Sequence, residues 1–173
     1  MEEYSEKQLL VRIRLLVVFF IIALVVSGIT AFPLVTELNI LSSWLGIDGS
    51  LPPDTYWGLK HWIAIVNEGL TNTNKQYPFI LYGTDWLAFS HIVIAVAFIG
   101  LYREPVRNKW IIYFGMIACA GIIPLALICG AIRGIPFYWR LIDCAFGVFG
   151  IIPLYLLHVY VTKLSAMKYS SDH

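Results

Sequence analysis

The chain has 173 residues, 59% of them hydrophobic and 13% charged, with a formal net charge of +1. A water-soluble domain is closer to half apolar and a quarter charged, so the composition points away from a soluble enzyme module and toward a single membrane domain with the lipid bilayer as its first partner. No excess of Lys and Arg exists to neutralise phosphates, which argues against nucleic acid as a partner.

Crossing hydrocarbon as a helix takes roughly 20 mostly apolar residues. The first such run covers residues 15–32, follows Lys7, Arg12 and Arg14, and ends in the small-residue sequence SGITA. This arrangement also has the form of a secretory signal, but we read it as a retained span. Residues 34–71 are too long and too patterned for a plain connector. Leu34, Leu38, Leu41 and Leu45 recur at helical spacing after Pro33. Pro52 and Pro53 then break the chain before a second apolar stripe of Leu59, Trp62, Ile63, Val66 and Leu70, with Lys60, Asn67 and Glu68 opposite. Asp54 is expected to cap this helix, and Gly69 with the TNTNK run to end it. Two short amphipathic helices are thus predicted, packed over the mouth of the helix bundle.

The second span is expected over residues 86–102, with Thr84 as its cap and Asp85 in its first turn. The third covers 110–132 and the fourth 136–161. Pro124 and Pro153 remove backbone donors inside the last two spans, and kinks are expected there. Trp86, Trp110, Trp139, Tyr102 and Tyr138 fall at span ends, as an interfacial aromatic belt requires.

Basic flanks are kept on the cytoplasmic side of a membrane. Lys7, Arg12 and Arg14 precede span one, Arg103, Arg107 and Lys109 lie between spans two and three, and Lys163 and Lys168 follow span four. These segments must share a side. The reading is therefore a multi-pass protein of the cell membrane with both termini cytoplasmic. Its fold class is all-α, an integral membrane four-helix bundle with two short amphipathic helices in the outer loop between spans one and two.

Lipid tails provide no hydrophobic force between helices, so small and polar residues are expected at packing faces. Span one offers Ala23, Ser27, Thr30 and Ala31, and span two offers Asp85, Ala88, His91 and Ala95. Span three offers Gly115, Ala118, Cys119, Ala126, Cys129, Gly130 and Arg133, and span four offers Arg140, Asp143, Gly147 and Gly150. At about 1.5 Å of rise per residue, His91 and Asp143 fall in one layer in the outer third of the bundle. Arg140 stands one turn before Asp143, and Arg133 ends span three. An ionised group alone in hydrocarbon costs several kcal/mol, so Arg140 and Asp143 are expected to pair with each other or with neighbours.

These residues give the candidate site: His91, Arg133, Arg140 and Asp143 lining an outward-facing polar pocket. A carboxylate between guanidiniums stays ionised, which suits binding a small lipophilic or anionic ligand better than abstracting protons. The alternative is a structural or assembly subunit of a membrane complex, docking a partner through the outer helices. Gly147 and Gly150 would serve a homodimer contact equally well. Cys119, Cys129 and Cys144 have neither CxxC nor metal-ligand spacing and read as packing residues. A haem held by His91 and His158 is ruled out by their separation in depth of roughly 20 Å; His61 could instead come down from the outer helix to meet His91 at an iron. No cofactor is identified.

Overall fold

The computed structural model describes residues 5–171, and the described residues fold as helices joined by short turns. In chain order these are α1 (Glu6–Ala31), α2 (Leu34–Trp44), a 3₁₀ turn at Pro53–Thr55, α3 (Leu59–Gln76), α4 (Pro78–Arg103), α5 (Trp110–Ile132, containing a π turn at Leu125–Cys129) and α6 (Phe137–Ser171). Four of them, α1, α4, α5 and α6, are long and apolar enough to cross a membrane.

Helix ends lie beyond the apolar runs that announce them. At the start of α1, the Ser5 N–H donates to Gln8 Oε1 (3.0 Å) and the Gln8 N–H to Ser5 Oγ (3.4 Å). This reciprocal capping box starts the helix well before residue 15. α4 begins at Pro78, whose missing N–H costs nothing in a first turn. Thr84 consequently lies inside α4 and is not its cap; its hydroxyl donates back to the Leu81 carbonyl (2.6 Å). Asp54 is not the cap of α3 either, since the helix starts after Gly58, which has φ of 60°. Nor do Gly69 and TNTNK end α3, which continues to Gln76. His61 turns to the Pro53 carbonyl (2.9 Å) and binds the 3₁₀ turn to α3. The termini themselves, on which the cytoplasmic assignment falls, lie outside the described residues.

The chain forms two compact units, Met1–Ile22 with Ala95–His173 (unit one) and Ala23–Ile94 (unit two). α1 and α4 each contribute one part to either unit. Unit one carries most of the buried apolar residues: Leu9, Ile13 and Val17 of α1, Phe98 and Leu101 of α4, Ile111 and Ile112 of α5, and Leu154, Leu157, Val161 and Leu164 of α6. In α1, α4 and α6, spacings of three and four keep each set on one side of its helix. Phe20 stacks on Phe98 with ring centroids 5.3 Å apart. The opposite sides are apolar too: Leu15, Ile117, Phe146 and Phe149 are each at least 66% exposed, a surface a water-soluble monomer does not present.

Basic side chains of unit one lie over aromatic rings near the same helix ends. Arg12 is 5.9 Å from the Tyr160 ring, Arg14 5.4 Å from Tyr102 and Lys109 5.8 Å from Tyr113. The first two contacts bring the start of α1 to the ends of α6 and α4, so the basic segments share one end of this unit.

In unit two, α2 ends in a left-handed Gly46 (φ 67°), with the Ile47 N–H on the Ser42 carbonyl (2.9 Å) and the Gly46 N–H on that of Ser43 (3.0 Å). This Schellman arrangement folds the following loop back over α3 and buries Ile47 against the helix pair. Ile63 and Ala64 of α3 are buried with it, and the buried residue of α2 is Ser42, whereas its leucines stay partly exposed. The small-residue face expected on α1 also shifts. Ala23, Ser27 and Thr30 are exposed, and Gly28 is the buried contact: a Cβ there would stand 2.8 Å from the Ala88 carbonyl oxygen. The α4 stripe fares as expected, with Ala88 and Ala95 buried and Asp85 and His91 half-buried.

Candidate functional site

Three of the four candidate residues belong to unit one, around the turn from α5 to α6. That turn is built by Gly134, which has φ of 70°, a left-handed value that favours glycine. The Ile135 N–H bonds the Gly130 carbonyl (2.9 Å) and the Gly134 N–H that of Ala131 (3.1 Å), a second Schellman ending like that of α2. Arg133 lies at this corner, exposed, with its backbone N–H on the Cys129 carbonyl (3.0 Å).

Arg140 reaches across to α5 instead of along its own helix. Its Nη1 donates to the Leu127 carbonyl (3.2 Å), and its guanidinium lies 5.3 Å from the Phe137 ring. Two features of α5 make this path. Pro124 has no N–H, and the π turn directly after it takes the carbonyls of Leu125–Cys129 out of α register. Gly130 then leaves room for the arginine stem: a Cβ there would stand 2.7 Å from Arg140 Cδ and 2.8 Å from Cγ. Of the two expected outcomes, pairing with Asp143 or binding a neighbour, Arg140 takes the second, because the guanidinium is directed to the neighbouring helix. Among the described residues Asp143 makes no ion pair and is half-buried. The Arg140 Nε is buried and has no protein partner.

Below this step the two helices approach closely. The Cys144 Sγ is 4.0 Å from the Ile123 carbonyl oxygen. A Cβ on Gly147 would stand 2.5 Å from the Cys119 carbonyl oxygen, and one on Gly150 2.8 Å from Cys119 Sγ. Gly147 and Gly150 thus pack within the α5–α6 pair, and two of the three cysteines are packing residues at the crossing.

His91 belongs to unit two. Its Nδ1–H donates to the Leu87 carbonyl one turn back (2.8 Å), which fixes the tautomer and leaves Nε2 as an acceptor. The ring stem lies at the α1–α4 contact, with His91 Cβ 3.3 Å from the position a Gly28 Cβ would take.

A second polar locus in unit two was not foreseen. Asp48 Oδ1 accepts from the Ser50 N–H (2.9 Å) and hydroxyl (2.8 Å), and the Asp48 N–H donates to the Tyr56 hydroxyl (2.6 Å). The Ser50 backbone donor, then its hydroxyl, hold the Asp48 carboxyl below the ordinary carboxylate range. The sequence DGS is a turn signal that could have located this loop. Its meeting with Asn39 of α2 and Asn67 of α3 depends on the α2–α3 packing. Among the described residues no group of three His, Cys, Asp or Glu side chains could hold a metal ion. Comparison of the chain with protein-family models, with curated proteins and with solved structures gives no match.

Proposed function

We propose that this chain is a multi-pass protein of the cell membrane that binds a small lipophilic or anionic ligand at the Arg140 step of unit one. One observation carries the reading. Among the described residues, Arg140, within a long apolar helix, hydrogen-bonds a backbone carbonyl and keeps a buried Nε with no protein partner, while Asp143 one turn on makes no ion pair. Ionisable groups at such depth are costly and mark ligand or ion sites more often than solvated faces do. A guanidinium donor beside a carboxylate acceptor, with Arg133 at the corner, suits a headgroup-like ligand that carries an acceptor and a donor together. The four long apolar helices and the basic end of unit one support a bundle with both termini cytoplasmic and α2–α3 on the outer side.

The test is mass spectrometry of small molecules that co-purify with the protein, with thermal unfolding in their presence. A retained molecule that stabilises the wild type, and is lost in Arg140→Gln and Asp143→Asn, is the expected result. No retention and no stabilisation across a lipid and metabolite panel would sink the proposal. The same assay on His91→Phe reports whether the imidazole takes part.

A second reading, an assembly subunit docking a partner through the α2–α3 segment, is favoured by Trp44 and Trp57, which are 84% and 89% exposed. Aromatic anchors of this kind dominate protein interfaces. In that case Trp57→Ala abolishes capture of the partner while Arg140→Gln leaves it unchanged.

A further inference from the structure

Between α2, α3 and the loop that joins them, unit two forms an open recess of about 500 Å³, beside a shallower one of about 480 Å³ that shares part of its lining. Asn39, Asp48 and Asn67 line both. Such volumes are those of small-molecule sites. The walls are of two kinds. On α3, the spacing of Asn67, Thr71 and Lys75, with Glu68 and Asn72 beside them, aligns a continuous polar stripe over two turns. Facing it, Leu51, Pro52 and Pro53 form a short apolar edge.

Two residues of these walls each bury a polar atom that has no protein partner among the described residues. Asn67 Oδ1 is buried and unbonded, and so is the hydroxyl of Ser42, a residue only 4% exposed. Leaving a buried polar atom unpaired costs about 1–3 kcal/mol in general, so a group that reached either one would recover that cost. The loop is also fixed in advance. The Asp48 Oδ1 bonds to Ser50 and the Tyr56 hydroxyl on the Asp48 N–H hold the turn, and Oδ2 is left outside those bonds.

The chemistry of these groups selects the ligand. Two carboxylates, Asp48 and Glu68, outweigh the single ammonium of Lys75, which disfavours phosphate and other anions. Carboxylate and amide oxygens accept from hydroxyls, while amide N–H groups and the ammonium donate to them, so the recess matches a ligand whose every polar group both donates and accepts. The apolar edge suits the C–H face of a saturated ring. From this geometry we propose that the α2–α3 recess is a binding site for a neutral polyhydroxylated ligand, a sugar or the sugar portion of a glycoconjugate, held by Asn39, Asp48, Asn67 and Glu68. The site is separate from the Arg140 step and stands whether or not that step binds a ligand.

The experiment titrates maltose and N-acetylglucosamine into the full chain by calorimetry, in a zwitterionic detergent because glycosidic detergents would present the same headgroup. Inorganic phosphate and spermidine serve as charged comparisons. Saturable binding of a neutral sugar, weakened about tenfold in Asn67→Leu by loss of one buried hydrogen bond, is the expected result. Should Asn67→Leu fail to fold, Glu68→Gln and Asn72→Ala, both on exposed positions of the same wall, take its place and weaken binding severalfold. Absence of saturable sugar binding, preference for phosphate or spermidine, or wild-type affinity in the folded variants would overturn the assignment.

Discussion

Arg140 crosses α5 directly over Gly130, where a Cβ would stand 2.7 Å from its Cδ. The crossing delivers Nη1 to the Leu127 carbonyl, so the glycine and the arginine act as one unit. Gly130→Ala is expected to displace the stem and lower stability by about 1–3 kcal/mol, the usual range for overpacking. Arg140→Ala removes the obstacle. A double-mutant cycle by thermal unfolding therefore gives a combined loss clearly smaller than the two single losses added; additive losses would mean that the two residues do not share the contact.

Two glycines of the same helix pair make a sharper contrast. Gly147 faces a backbone oxygen, that of Cys119, 2.5 Å from a Cβ placed there, whereas Gly121 has open space around it. A backbone atom cannot turn aside as a side chain can. Gly147→Ala is expected to cost about 1–3 kcal/mol, and Gly121→Ala to be neutral or to stabilise by up to about 1 kcal/mol through helix propensity. Unfolding temperatures of the two variants check the ordering.

The Asp48 turn predicts a pH dependence. Because its folded carboxyl titrates below the unfolded value of about 3.9, its contribution to stability is present above that value and fades as pH falls through the lower folded one. Carboxyl-carbon NMR titration should find the Asp48 midpoint lowered. Ser50→Ala removes only the hydroxyl and moves the midpoint partway back; Ser50→Pro, which removes the larger backbone contribution as well, moves it further. An unchanged midpoint in both variants would show that Ser50 is not the cause.

The basic end of unit one predicts a topology. Reporter fusions after Asn108 should behave as cytoplasmic and fusions after Gly134 as extracytoplasmic. Replacing Arg103, Arg107 and Lys109 with neutral residues weakens this bias. Cytoplasmic behaviour of both fusions would contradict four crossings.

The four long helices were legible because a sustained apolar run leaves its mark on sequence, and the third could be bounded at Trp110 and Ile132 from that mark alone. Elsewhere hydropathy records where apolar character stops, not where hydrogen bonding stops. α1 and α4 accordingly start earlier than their apolar runs, through a Ser5–Gln8 cap and a first-turn proline. For Arg140, the i, i+3 spacing left two outcomes open, a pair with Asp143 or a bond to a neighbour. The choice is made by an acceptor on the neighbouring helix, opened by a π turn and a glycine that linear spacing does not link to Arg140. On α1, the expected small-residue face overlooked Gly28, where absence of a side chain permits the closest approach. The burial of Ser42 and the recess beside it arise from α2 packing on α3, and no single-helix pattern announces them.

The π turn at Leu125–Cys129 also sets a rule for changes in chain length. A π turn accommodates one residue more than the α-helical path over the same rise. Removing a single residue there would let the helix close into regular register with the turns on either side left in place. Gly130 would still lie beneath the arginine, but the carbonyl that Leu127 offers to Arg140 would return to an ordinary helical bond. A deletion in the regular turns of α5 would instead rotate all that follows by about 100°. This stretch should therefore tolerate a one-codon deletion better than the regular turns around it.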